Sequence, residues 1–306
     1  MTPVTSGQDR ASPFLRWLGG KTWFAGEARK LMGNLAPNRY YEPFLGSGAV
    51  FFALDFRPAL LSDLNPELVS TYVAVRDHAT ELLAVLKSMD PSAESYYEIR
   101  EARPTTQVDR AARFLYLNRL AFNGIYRVNR LGHFNVPYGG ADRRLDYFWR
   151  ANRLLRASIA LQGCEISQLD FADALDCAGL GDLVYCDPVY LGAGAEESFA
   201  RYTDSPFGEV DFRRLLTHIR LAVSRGATVV LSWPHKGLPH ELGEQTERHQ
   251  LLRTSTISAT AKRAATRDEC VFVFSTRRLQ PDILGRGSCH VANTLLVTAP
   301  LELESA

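Results

Sequence analysis

Residues 14–75 and 160–278 read as one α/β domain built on a parallel sheet, interrupted over 76–159 by a mostly helical insertion. Three observations predict this. Short apolar runs alternate with helix-like stretches at the start of the chain and again after 160, as strands alternate with helices in βαβ units. The alternation stops between them. Two glycines also close the first strand, where a strand-to-helix turn lets backbone approach a ligand.

Each element follows in order. Residues 1–13 read as a disordered lead. Tyr40-Tyr41-Glu42 is a short strand feeding the loop Phe44-Leu45-Gly46-Ser47-Gly48, and a helix starts near Ala49. Leu60-Leu61-Ser62-Asp63 is the next strand, and a helix runs from Glu67 toward Met89, with Pro66 suited to its first turn. The insertion carries one hairpin-like stretch around Asn129 to Gly140. Strands resume near Glu165-Ile166, at Asp182 to Cys186, Ala227 to Trp233 and Val271 to Phe274, with a helix over Val210 to Ser224. Residues 279–306 form a tail to which no role is assigned.

Composition excludes several classes. The chain has 306 residues, enough for a full core, and 46% hydrophobic with 23% charged residues is the balance of an ordinary globular protein. No apolar run reaches the roughly 18 residues of a membrane span, and Met1 to Ser12 lacks the apolar stretch of a signal peptide. Five cysteines (164, 177, 186, 270 and 289) form neither a disulfide framework nor a zinc motif, so free thiols in a reducing cytoplasm and no metal are expected. Net charge is +1, but residues 100–156 hold twelve arginines against four acids. That +8 segment is the footprint of a phosphate-contacting module, or else a solvated helical face with internal ion pairs.

Asp63, 15 residues after Gly48, can accept both ribose hydroxyls of a nucleoside cofactor, or can serve only as a helix cap or Asx-turn before Asn65-Pro66. The loop lacks a third glycine and the pyrophosphate-cradling spacing, which favours a cofactor without phosphates, such as S-adenosylmethionine. Downstream, Asp187-Pro188-Val189-Tyr190 closes the run Leu183 to Cys186.

Four blocks in fixed order resemble the Dam-like (alpha) group of site-specific DNA adenine methyltransferases. They are Phe14-Leu15-Arg16-Trp17-Leu18-Gly19-Gly20-Lys21, Tyr41-Glu42-Pro43-Phe44-Leu45-Gly46-Ser47-Gly48, the stretch from Phe114 through Asn118-Arg119, Phe122-Asn123-Gly124 and Arg127 to Phe134-Asn135-Val136-Pro137-Tyr138-Gly139, and Asp187-Pro188-x-Tyr190. The resemblance covers about residues 14 to 276. It implies a methyltransferase Rossmann-like sheet with an inserted DNA target-recognition module over 76–159. It implies S-adenosylmethionine as methyl donor, S-adenosylhomocysteine as product, and a cofactor site of Trp17, Lys21, Glu42, Phe44, Gly46, Gly48, Asp63, Asp170 and Asp187. Taken on its own, Trp17 reads as a core residue.

Adenine's 6-amino lone pair is delocalised into the ring, so the chemistry needs it localised rather than deprotonated in advance. The Asp187 carboxylate and Pro188 carbonyl suit the two N–H groups, and Tyr190 suits stacking on an extruded base. Val189 departs from the family's Asp-Pro-Pro-Tyr: it removes a ring that fixes φ and adds a backbone N–H.

The resemblance further implies DNA contacts from Asn118, Phe122, Asn123, Ile125, Arg127, Asn129 and Pro137. Arg127 is the expected guanine reader, Phe122 the aromatic inserted beside the vacated base, and Ile125 and Pro137 partners for a thymine methyl. Read without the family, Phe122 is also compatible with core, and Asn118 with a tie between hairpin and helix. Gly139-Gly140-Ala141-Asp142 replaces the family's more basic residues, leaving GATC only as the default target. The expected partners are double-stranded DNA and a separately encoded restriction endonuclease, in a bacterial nucleoid or a phage-infected cell. Two other readings stay open: a catalytically silent DNA-binding relative, and an RNA or protein amide methyltransferase.

Overall fold

The computed structural model describes residues 10–17, 19–129, 131–140, 142–188, 207–234, 247–254 and 266–276. The elements are α1 (Ala25–Met32), β1 (Tyr40–Glu42), α2 (Ala49–Leu54), β2 (Ala59–Asp63), α3 (Pro66–Ser88), α4 (Ala93–Glu101), α5 (Gln107–Leu120), α6 (Arg153–Leu161), β3 (Cys164–Gln168), α7 (Phe171–Asp176), β4 (Leu183–Cys186), α8 (Glu209–Ser224), β5 (Thr228–Pro234), β6 (Glu247–Thr254) and β7 (Thr266–Phe274). Among the described residues, seven strands form one sheet in the order β3-β2-β1-β4-β5-β7-β6. Strands β1 to β5 pair in parallel, and β7 runs antiparallel to β5 and β6. This is the methyltransferase Rossmann-like sheet that the resemblance implies. The strand order turns back between β1 and β4, the place where such sheets open a crevice beyond their carboxyl ends.

Period-two alternation divides the apolar residues between two cores. Tyr40, Leu61, Leu183, Tyr185, Val230 and Val273 face one side, where Phe51, Tyr72, Leu115 and Leu154 pack. Tyr41, Leu60, Val184, Cys186, Val229 and Phe272 face the other, against Phe171 of α7 and Leu215 and Ile219 of α8. Strand β6, which the sequence leaves unassigned, continues the sheet outward from β7.

The insertion is less separate than its expected boundaries. Helix α3 runs through residue 76 without a break, bending at His78 (φ −129°, ψ 28°). The bend frees the Arg76 carbonyl, which accepts hydrogen bonds from Ser158 Oγ (2.9 Å) and Gln162 Nε2 (2.7 Å) of α6. Leu82, Leu86, Leu115, Tyr116 and Leu154 belong to the same core as Leu61 and Tyr185, so the helical segment is welded to one face of the sheet. The expected lead also ends earlier than residue 13: Arg153 donates to Ser12 Oγ (2.6 Å) and the Pro13 carbonyl (3.2 Å). Residues 1–9 and 277–306, with Cys289 and the tail, lie outside the described residues. The four described cysteines are free thiols.

Local chemistry explains the elements that position the site. Asn65 Oδ1 caps α3 by accepting the Glu67 and Leu68 N–H groups, with Pro66 in the first turn as expected. Helix α5 starts on Thr106, whose hydroxyl oxygen accepts the Asp109 N–H. After α5 the chain makes a tight turn at Phe122–Gly124 and returns as a hairpin, bridged at Ala121 with Tyr138 and at Val128 with Phe134.

Candidate active site

Strands β1 and β4 are neighbours, so Glu42 at the end of one and Asp187 just after the other converge at the point where the sheet reverses. Lys21 reaches them from the segment before α1. Its Nζ lies 2.8 Å from Asp187 Oδ1, with side chains only 5% and 16% exposed. Glu42 is buried and accepts a hydrogen bond from the Tyr40 hydroxyl at 2.7 Å. Burial pushes the Glu42 carboxyl up to about 8; the charge of Asp187 adds to this, while Tyr40 and the Phe51 amide oppose it. Glu42 is therefore a largely neutral acid at pH 7. The Cys186 thiol is driven up by burial, with Asp187 and Glu42 adding to it, and is no nucleophile.

The glycine loop is tied to the second strand. Asp63 Oδ2 accepts the Gly46 N–H (3.1 Å) and Oδ1 accepts the Asn65 N–H (3.0 Å). Asp63 thus does form the Asx-turn that the sequence allows, and it also clamps the loop. Burial raises its carboxyl, and the Asn65, Gly46 and Leu64 amides partly offset that. Gly46 is held at φ +45°, and a Cβ there would lie 2.8 Å from Trp17 Cδ1. Only glycine lets the indole lie flat on this loop. Tyr72 Oη donates to the Gly46 carbonyl at 3.0 Å, and Gly48 (φ +63°) opens α2.

Trp17 is half-buried and stacks on Tyr126 (5.6 Å between centroids) and Phe114 (6.4 Å). Phe44 stacks on Phe171 (5.5 Å). Asp170 caps α7 through the Ala172 N–H (2.9 Å) and pairs with Arg214 (2.7 Å), so both its oxygens are engaged by protein. Pro188 is buried; Val189 and Tyr190 lie outside the described residues.

The expected recognition residues divide into two groups. Phe122 is 51% exposed, and Asn123 beside it adopts φ +53°. Arg127 donates from Nε to Asn135 Oδ1 across the hairpin at 2.8 Å, which fixes its direction. Pro137 is exposed, and its carbonyl accepts the Phe122 N–H (2.9 Å). Ile125 is half-buried. Asn129 is a turn-former: its side-chain oxygen accepts the Leu131 and His133 N–H groups. Asn118 takes the geometry of its alternative reading, a tie, although to the Arg16 backbone. It is 1% exposed, accepts the Arg16 N–H (2.9 Å) and donates to the Arg16 carbonyl (2.7 Å). A buried amide spent on both sides of one residue's backbone is a tether, and it cannot meet DNA without breaking that clamp.

The model of the D12 class of N6 adenine-specific DNA methyltransferases matches residues 17–263. The chain belongs to this family. It is 32% identical over 255 residues to the type II methyltransferase M1.LlaDCHI of Lactococcus lactis subsp. cremoris, covering 81% of this chain and 89% of that protein. It is 30% identical over 273 residues to the retron Ec67 DNA adenine methylase of Escherichia coli (87% and 92% covered). It is 31% identical over 255 residues to the DNA adenine methylase of Salmonella typhi (80% and 89% covered).

In this D12 methyltransferase the arginine-rich segment is partly consumed by the fold. Arg113 donates to the carbonyls of Ile99 and Arg100 near the end of α4, and Arg110 pairs with Glu67. A different cation cluster emerges. Burial lowers Arg119, with Arg16 and Arg153 adding to it; burial lowers Arg143, with Arg16 and Arg119 adding. Arg16, Arg119 and Arg143 thus crowd one another beside the Phe122–Gly124 turn, where Arg16 lies over Gly124. The sequence count misses Arg16, which sits over a hundred residues away in the chain. Sequence reasoning also passes over Tyr40 and Tyr126, for which alternation with Glu42 and Arg127 is the available signal. No cluster of metal ligands occurs among the described residues, and none of their helices is long and apolar enough to cross a membrane.

Two outcomes test this geometry. Glu42 binds a proton in the folded state between its ordinary 4.5 and about 8, so the unfolding free energy should fall as pH rises through that window. In urea titrations Glu42→Gln should flatten that slope, and an unchanged slope would place the titration elsewhere. Asn118→Ala should cost about 1–3 kcal/mol of stability by orphaning the Arg16 backbone groups. Unaltered stability with a selective loss of DNA affinity would return Asn118 to the DNA-facing set.

Proposed function

We propose that this D12 methyltransferase moves a methyl group from S-adenosylmethionine to the 6-amino group of an adenine flipped out of a specific duplex DNA sequence, leaving S-adenosylhomocysteine. The supporting observation is the Lys21–Asp187 pair set beside buried Glu42 at the reversal of the sheet. The donor set fits a zwitterionic nucleoside. Lys21 matches the methionyl carboxylate, Glu42 gains a cationic partner in the methionyl ammonium, and Asp63 stands where a ribose diol can donate to it. Trp17 and Phe44 offer aromatic faces on either side of the glycine loop.

When bound, S-adenosylmethionine supplies an electrophilic methyl group on a sulfonium that departs as a neutral thioether. The protein's task is to present the nucleophile. Asp187, held by Lys21, accepts one N–H of the amine, and the buried Pro188 carries the carbonyl proposed to accept the other. Both bonds pull the lone pair out of conjugation and into line with the methyl group. As the N–C bond forms, the nitrogen sheds a proton, and Asp187 is the adjacent acceptor. Tyr190 is assigned to stacking on the extruded base.

Duplex DNA is read on the other side of the Phe122–Gly124 turn. Arg127, steered by Asn135, is assigned to a guanine; Phe122 and Asn123 to the space left by the flipped base; Ile125 and Pro137 to a thymine methyl. The Arg16, Arg119 and Arg143 cluster is assigned to phosphates. Asp170 remains a candidate for the cofactor's adenine, with Arg214 as its present partner. The type II designation of the L. lactis relative supports a restriction-linked role. Val189 favours a second reading, a DNA-binding relative without transfer.

Labelled S-adenosylmethionine with duplex DNA, followed by methylation mapping, separates these readings. Transfer to adenine is expected, and Asp187→Ala should lower its rate by roughly 100-fold or more. Cofactor and DNA binding without transfer, with transfer gained by Val189→Pro, would establish the second reading. Arg127→Ala should relax specificity at one base pair, at a cost of about 1–3 kcal/mol in discrimination; an unaltered methylation pattern would remove Arg127 as reader.

A further inference from the structure

Resting on the proposed function, we propose that Tyr126 is a positioning residue that couples the filled cofactor pocket to the placement of Arg127, so that cofactor and target DNA bind cooperatively. Tyr126 follows the Phe122–Gly124 turn, immediately before Arg127. Alternation sends the two side chains to opposite faces. Arg127 crosses to Asn135 on the hairpin. Tyr126 turns inward and stacks on Trp17 at 5.6 Å with 27° between the planes. Its ring also meets Phe114 of α5 at 5.1 Å and Phe134 of the hairpin at 5.7 Å.

What Tyr126 touches is the wall of the cofactor site from two directions. Trp17 covers Gly46 in the loop after β1 so closely that no Cβ fits between them. The Asn65 side chain lies near the Tyr126 hydroxyl and offsets part of the rise that burial gives it, and the Asn65 N–H is held by Asp63 at the end of β2. One residue therefore joins the loops after β1 and β2 to both recognition elements. A ligand that fixes Trp17 and Asp63 removes motion from Tyr126, and through one peptide from Arg127. DNA binding then meets a guanidinium whose ordering cost is already partly met. The Asn118–Arg16 clamp and the Arg16 side chain over Gly124 hold the same two segments together by an independent route, which keeps the stack in register.

The test measures a ratio that general destabilisation leaves alone. The full-length protein is titrated into a fluorescent duplex containing its mapped target, with and without saturating S-adenosylhomocysteine. Wild type should bind the duplex roughly 10-fold tighter with the ligand, within the usual range of coupling between sites. Tyr126→Phe, which keeps the ring, should retain most of that factor. Tyr126→Leu should bring it below about 2-fold, and Tyr126→Met, which fills the volume without a stacking face, serves if the leucine variant unfolds. A full coupling factor in both the leucine and methionine variants, or none in wild type, overturns the inference. Methyl transfer by wild type in the same preparation keeps that outcome apart from the functional reading, which fails only if no duplex adenine is methylated.

Discussion

Two acids and one lysine meet where the sheet reverses, and much of the molecule is arranged around that imbalance. Parallel winding outward from β1 and β4 brings the carboxyl ends of these strands together. Glu42 and Asp187 consequently share a site in which Lys21 pairs with Asp187. Burial raises the Glu42 carboxyl, and the Tyr40 hydroxyl donates to one of its oxygens. A buried charge that loses its partner typically costs about 3–5 kcal/mol, so the segment carrying Lys21 cannot drift from β4. That segment is in turn pinned by Asn118 at Arg16 and by the packing of Trp17 on Gly46.

The same pinning joins chemistry to recognition. Helix α5 supplies Asn118 to the Arg16 backbone and Phe114 to the Trp17 ring, and the turn that follows it carries Phe122 and Asn123 at the surface and leads on to Arg127. The helical segment has no core apart from the sheet's; Leu115 and Tyr116 lie in one cluster with Leu61 and Tyr185. The turn and hairpin built on that core inherit its rigidity, which suits the proposed placement of an extruded base.

Much of this was legible in the chain. Leu183 to Cys186 reads as a strand because both faces are buried, making it a continuous apolar run, and Tyr40 to Glu42 and Leu60 to Asp63 read as strands that carry an acid out at their carboxyl ends. Pro66 after Asn65 announced the start of α3. Strand β6 was not legible: Glu247 to Thr254 mixes charged and apolar residues, and only its pairing with β7 makes it a strand. The +8 charge of residues 100–156 was visible, but not how it is used. Arg110 and Arg113 serve Glu67 and the end of α4, and the crowded cations draw in Arg16 from far away in sequence.

By itself the sequence determined which chemistry is carried and in what order along the chain, because glycines at a strand end, an acid after the next strand and Asp187-Pro188 are local patterns. Tertiary structure decided what each residue does. Asn118 and Arg127 both lie in the same resembling block, yet one is buried on the Arg16 backbone and the other points across the hairpin. Whether an acid is charged or neutral depends on neighbours brought by other strands, and whether a polar side chain can meet a ligand depends on which backbone groups it must already satisfy.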